Sequence, residues 1–129
     1  DSHKFESNFV SLEIPKNNSV MFGSLSGTKL GVWVAHGEGK FEFPYEEKEY
    51  NIIAKYNYDG YPANPNGSPW SVAGVCSKDG RHLAMMPHPE RAIFPWQCGY
   101  YPADRKENDE VTPWIEAFVN ARKWIENNK

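Results

Sequence analysis

The chain has 129 residues, a formal net charge of −3 and a pI near 5.8: one domain's worth, able to bury about two-thirds of its unfolded surface. The acidic balance and the lack of a basic stripe argue against electrostatic nucleic-acid binding, and no apolar run approaches the ~20 residues of a membrane span. Two cysteines, Cys76 and Cys98, are too few for a disulfide scaffold and suit a reducing compartment, so a cytoplasmic location is expected.

Residues 8–14 alternate as a half-buried strand does, with Phe9 or Val10, then Leu12 and Ile14, as the apolar positions. A polar, turn-rich stretch at 15–19 leads to a short apolar piece at 20–22. Residues 31–35, rich in Val and Trp, read as a buried strand that ends at His36-Gly37-Glu38-Gly39. An acidic, aromatic segment (41–49) precedes another strand at 50–56. Residues 59–69 hold three prolines, two glycines and two asparagines, which specifies a loop with defined turns. Strands at 70–76 and 81–86 flank Ser77-Lys78-Asp79-Gly80, a hairpin signal.

An irregular aromatic segment (92–101) and a charge run (104–110) lead to the one clear helix. Thr112 suits the N-cap and Pro113 the first helical position, while Trp114, Ile115, Phe118, Val119, Arg122 and Ile125 recur at helical spacing. About five strands and one helix is an odd balance. A self-standing α/β domain needs helices on both faces of its sheet, so the chain is either a small α+β protein or the second part of a larger domain.

The most informative stretch is Met85-Met86-Pro87-His88-Pro89-Glu90. A residue before proline is pushed toward extended backbone, and in extended backbone positions i and i+2 share a face. His88 and Glu90 therefore converge: an imidazole that titrates near neutrality and a carboxylate that can fix its tautomer. Such a pair is a base and its orienter, and it needs a nucleophile. A zinc site from Cys76, His82 and His88 would demand wider spacing than structural zinc motifs use, and no metal is assigned. Asn64-Pro65-Asn66-Gly67-Ser68 specifies a rigid turn that is structural or in contact with a ligand or partner. The segment Phe94-Pro95-Trp96-Gln97-Cys98-Gly99-Tyr100-Tyr101 either packs across the back of the dyad or forms a docking surface.

Phe5-Glu6-Ser7, Ala35-His36-Gly37-Glu38-Gly39, Tyr61-Pro62-Ala63-Asn64-Pro65-Asn66-Gly67-Ser68 and Met85-Met86-Pro87-His88-Pro89-Glu90-Arg91 occur in that order. This series resembles the class I glutamine amidotransferase domain at the C-terminus of the large, single-chain phosphoribosylformylglycinamidine synthases. The resemblance implies a flavodoxin-like α/β fold, of which this chain is the C-terminal portion: mostly strands, one C-terminal helix, a single partial domain over residues 1–129. It also implies a Cys–His–Glu triad in which His88 takes the thiol proton and later protonates the departing ammonia, while Glu90 holds His88 in the correct tautomer. His36, Gly37 and Glu38 become expected glutamine-binding residues, set against the reading of the same loop as a strand-ending turn.

In such enzymes the ammonia amidates formylglycinamide ribonucleotide in a separate ATP- and magnesium-dependent synthetase region. No cofactor is therefore expected in this chain. The expected partners are glutamine, the remainder of the same polypeptide and, through uncovered sheet edges, a second copy of the chain. The sequence departs from the family at the nucleophile, since no cysteine elbow precedes Phe5 and neither Cys76 nor Cys98 matches its position. The expectation is a chain that is silent alone. Two alternatives stand beside it: a self-contained cysteine hydrolase using Cys98 or Cys76, and a non-catalytic interaction module.

Overall fold

The structure, a computed structural model, describes residues 3–129. Five strands form one sheet in the order β2-β1-β3-β4-β5, with every neighbouring pair antiparallel. They are β1 (Glu6–Glu13), β2 (Lys29–His36), β3 (Asn51–Tyr56), β4 (Val72–Cys76) and β5 (Leu83–Met85).

The period-two pattern of β1 decides its faces. Val10, Leu12 and Ile14 point into the core with Val32 and Val34 of β2. Phe9 takes the opposite face, where its ring meets Trp33 edge-on at 5.1 Å. A Cβ at Gly31, opposite Ser11, would lie 2.5 Å from the Phe9 ring, so only glycine lets that ring lie flat on β2. The strand begins at Glu6, two residues before the apolar alternation, because Glu6 pairs with His36 at the end of the eight-residue β1–β2 register.

The strand foreseen at 70–76 starts only at Val72. Trp70 and Ser71 have φ of 53° and 56°, in the left-handed region, and cannot extend the ladder. Residues 20–22 do not form a strand; they lead into a single 3-10 turn (Gly23–Leu25) that buries Phe22 and Leu25. The β4–β5 hairpin forms as expected, closed by Ser77 N–H donating to His82 O at 2.9 Å and Gly80 N–H donating to Ser77 O at 2.9 Å. Gly80 is required there twice over: its φ is +74°, and a Cβ would lie 2.1 Å from the Asn18 carbonyl oxygen.

The chain closes on a one-turn helix α1 (Ala103–Lys106) and the long helix α2 (Ile115–Asn127). The α-helix begins two residues later than its sequence implied, with Trp114 rather than Thr112 at the N-cap and Ile115 as the first helical residue, while Thr112 and Pro113 open the turn that leads into it. The Thr112 hydroxyl accepts from Trp114 N–H at 3.3 Å, and i→i+3 bonds from Ile115, Glu116 and Ala117 make the first turn 3-10 in character. Trp114 is the anchor: it is 1 % exposed, packs on Phe22 at 5.6 Å and donates its indole N–H to Gly31 O at 2.8 Å. Phe118, Val119 and Ile125 stay 39–57 % exposed, so the apolar face of α2 is wider than the core it covers. No helix among the described residues is long and apolar enough to cross a membrane.

Beyond β5 the chain returns to the opposite edge of the sheet. His88 N–H donates to Trp33 O at 2.8 Å, an isolated antiparallel bridge onto edge strand β2. This return positions the dyad.

Candidate active site

Backbone bonds pin the His88 segment on both sides. Met86 N–H donates to Ala73 O at 3.0 Å, His88 N–H to Trp33 O, and Arg91 N–H back to His88 O at 3.1 Å. His88 itself is extended (φ −114°, ψ 84°), as its position before proline demands, and Pro89 opens a 3-10 turn that carries Glu90. The i, i+2 pair meets as expected: His88 Nδ1 lies 2.7 Å from Glu90 Oε1. An ionised carboxylate can only accept, so the proton sits on His88 Nδ1 and the lone pair on Nε2. A ring so oriented can act as a general base through Nε2 when a proton donor is within reach. The side chains are 31 % and 56 % exposed and border an apolar hollow of about 300 Å³ walled by Met85, Phe22 and Phe118.

The loop after β2 forms a second hollow of about 400 Å³, lined by Gly37, Glu38, Gly39, Lys40 and Asn66 together with His3 and Lys4. The expected glutamine-binding residues thus divide. Gly37 and Glu38 line this hollow, His36 lines neither, and the dyad lines the other. His36 Nδ1 lies 2.7 Å from Asn66 Nδ2, and its Nε2 is buried with no hydrogen-bond partner among the described residues. Burial first, and then the charge of nearby His88, push the His36 imidazole below its ordinary titration range, with Glu6 opposing. The structure therefore brings His36 within electrostatic reach of His88 without placing it in the dyad's hollow.

Neither thiol joins the dyad. Cys76 Sγ accepts from Asn51 Nδ2 at 3.0 Å, and Cys98 Sγ lies 3.7 Å from Phe94 O. Among the described residues no hydrogen bond links either one to His88. Burial raises both thiols above their ordinary range, the direction opposite to nucleophile activation. The described residues contain no grouping of three or more His, Cys, Asp or Glu side chains that could hold a metal ion.

Two contributors escaped the sequence reading. Trp33 supplies the carbonyl that docks His88, and Asn66 reaches across to His36. The Asn-Gly pair at 66–67 signals a turn, and nothing local in it names a partner thirty residues upstream.

With this geometry in view, the comparisons are specific. The family model of the CobB/CobQ-like glutamine amidotransferase domain matches residues 1–125. The chain is 42 % identical to "Probable phosphoribosylformylglycinamidine synthase, chloroplastic/mitochondrial" of Arabidopsis thaliana, an alignment covering 98 % of this chain and 10 % of that protein. It is also 42 % identical to the human phosphoribosylformylglycinamidine synthase, covering 95 % of this chain and 10 % of that one. A chain in the structure of PurLQS from Thermotoga maritima superposes with a TM-score of 0.71 at 25 % identity, covering 97 % of this chain and 50 % of that chain. The chain spans about a tenth of the length of the curated relatives it matches. A match over nearly every residue, carried by a fold of the same class, settles the family: the chain belongs to the CobB/CobQ-like glutamine amidotransferase domains.

Proposed function

We propose that this chain is part of the glutaminase domain of a phosphoribosylformylglycinamidine synthase and supplies the His and Glu of its Cys–His–Glu triad. The observation that carries the reading is the 2.7 Å contact between His88 Nδ1 and Glu90 Oε1, with both ends of the segment held by backbone bonds. His88 Nε2 takes the proton of a cysteine thiol, and the thiolate attacks the glutamine carboxamide carbon. As the carbon–nitrogen bond breaks, His88 returns that proton to the leaving nitrogen, which departs as ammonia. Water, deprotonated by His88, then attacks the thioester carbon; the carbon–sulfur bond breaks, glutamate is released, and the departing thiolate takes the proton back from His88. Glu90 holds the Nδ1–H throughout and steadies the imidazolium.

The environments of Cys76 and Cys98 favour a nucleophilic thiol from outside this chain over a self-contained hydrolase. In the same reading the ammonia amidates formylglycinamide ribonucleotide, with ATP and magnesium handled by the remainder of the enzyme. That remainder is the expected partner, and the exposed Phe94–Trp96 stack and Phe118 give it apolar surface to pack against. A cytoplasmic location belongs to the same proposal, although the Arabidopsis relative's name places that protein in chloroplasts or mitochondria.

The test is a His88→Ala change in the complete enzyme. Glutamine-dependent synthesis should be lost while synthesis from added ammonia persists. Loss of both activities in a folded variant would remove the assigned role.

A further inference from the structure

Two motifs that the dyad does not use meet at one side chain. Asn66 Nδ2 lies 2.7 Å from His36 Nδ1 and 2.6 Å from Gly39 O. A carbonyl oxygen only accepts, so Gly39 fixes which end of the Asn66 amide is the NH2 group; the reverse orientation would set two oxygens against each other. His36 Nδ1 must then be the acceptor in its own contact, and it carries no proton.

The loop around Asn66 is itself built to hold this position. Asn64 is buried; its Nδ2 donates to Ser68 O at 2.9 Å and its Oδ1 accepts from Ser68 N–H at 3.1 Å. Ser68 Oγ in turn accepts from Phe41 N–H at 3.3 Å, just past the glycine loop. Residues 64–68 thus grip the 36–41 segment at three points: His36, Gly39 and Phe41.

We propose that Asn66 is a positioning residue of the glutaminase site, holding His36 as the neutral tautomer protonated on Nε2 and presetting the 37–39 wall of the glutamine-binding hollow. This deepens the proposed glutaminase reading and, for its ligand, rests on it. Among the described residues, the charged or titratable groups that act on His36 are Glu6, paired with it on β1, and His88. A second imidazolium at His36 would oppose the one that forms on His88 during proton transfer. Asn66 withholds the acceptor that such a cation would need on Nδ1. In this tautomer the Nε2 proton is buried with no hydrogen-bond partner among the described residues, so the contacts on Nδ1 are what fix the ring.

Long-range nitrogen NMR of the imidazole rings in the 129-residue chain reads the tautomer directly. The expected spectrum at neutral pH has His36 protonated on Nε2 and bare on Nδ1, the opposite of His88. An Asn66→Asp change replaces the donor with an acceptor and should bring a proton to Nδ1. Native His36 with a proton on Nδ1 would overturn the proposal, whatever the variant does. In the complete enzyme, Asn66→Ala should raise KM for glutamine roughly tenfold with kcat nearly kept, as loss of one hydrogen-bonding clamp on a binding wall implies. A fall in kcat at unchanged KM would contradict it. The spectrum does not depend on catalysis, so failure of the glutaminase reading and failure of this one are distinguishable.

Discussion

His88 and His36 lie within electrostatic reach of each other, and the same ring nitrogen does opposite work in them. On His88, Nδ1 faces the carboxylate of Glu90 and donates; on His36, Nδ1 faces the amide of Asn66 and accepts. The first arrangement leaves the lone pair on Nε2 of a partly exposed side chain. The second leaves Nε2 protonated and sealed. The partner on one nitrogen therefore sets the chemistry of the other. In the proposed reading one imidazole is the base, and its neighbour supports a wall that it does not itself line.

The largest effect that separates the two follows from removing each ring in the complete enzyme. His88→Ala should lower glutamine-dependent turnover on the order of 10³-fold, the range for loss of a general acid–base, whereas His36→Ala should raise KM by about tenfold. Equal losses in kcat would erase the distinction between base and wall. Next in size is a change to the scaffold away from both rings. Gly80→Ala forces a Cβ against the Asn18 carbonyl at positive φ and should lower stability by roughly 3 kcal/mol in denaturant unfolding. Ring-nitrogen spectra of the variant that remains folded should be unchanged.

A smaller effect comes from pH. His36 titrates below its ordinary 6.5 in the folded chain, so between the two values the unfolded chain binds more protons. Stability from this ring is then complete above about 6.5 and is lost as pH falls toward the lower folded value. His36→Gln should flatten that slope in thermal unfolding; an unchanged slope would assign it to other groups. Smallest of all, Cys76 and Cys98 should alkylate with iodoacetamide more slowly than an unperturbed thiol at neutral pH, faster as pH rises, and at rates indifferent to His88→Ala. A His88-dependent rate would revive the self-contained hydrolase.

Much of this was legible in the sequence where one local rule governed the outcome. The extended backbone at His88 follows from proline restriction, although Glu90 meets the ring from a 3-10 turn and not along an extended strand, and the β4–β5 hairpin follows from its turn residues. The anchoring of α2 follows from Thr112, Pro113 and Trp114. What was not legible depends on tertiary approach. Nothing near Trp70 announces its left-handed backbone, which delays β4. The polar start of β1 at Glu6 is set by its register with His36. The antiparallel order of the whole sheet, the docking of His88 on Trp33 O and the reach of Asn66 to His36 all join segments far apart in the chain. The resemblance named the dyad and the glycine loop, yet it did not reveal that they line separate hollows.

The most direct test of the central claim is glutaminase activity of this chain, alone and mixed with a separately made segment carrying the expected cysteine elbow. The account predicts no turnover alone, turnover in the mixture, and its loss when His88 or Glu90 is replaced by Ala. Turnover by the chain alone, or mixture activity that survives His88→Ala, would contradict it.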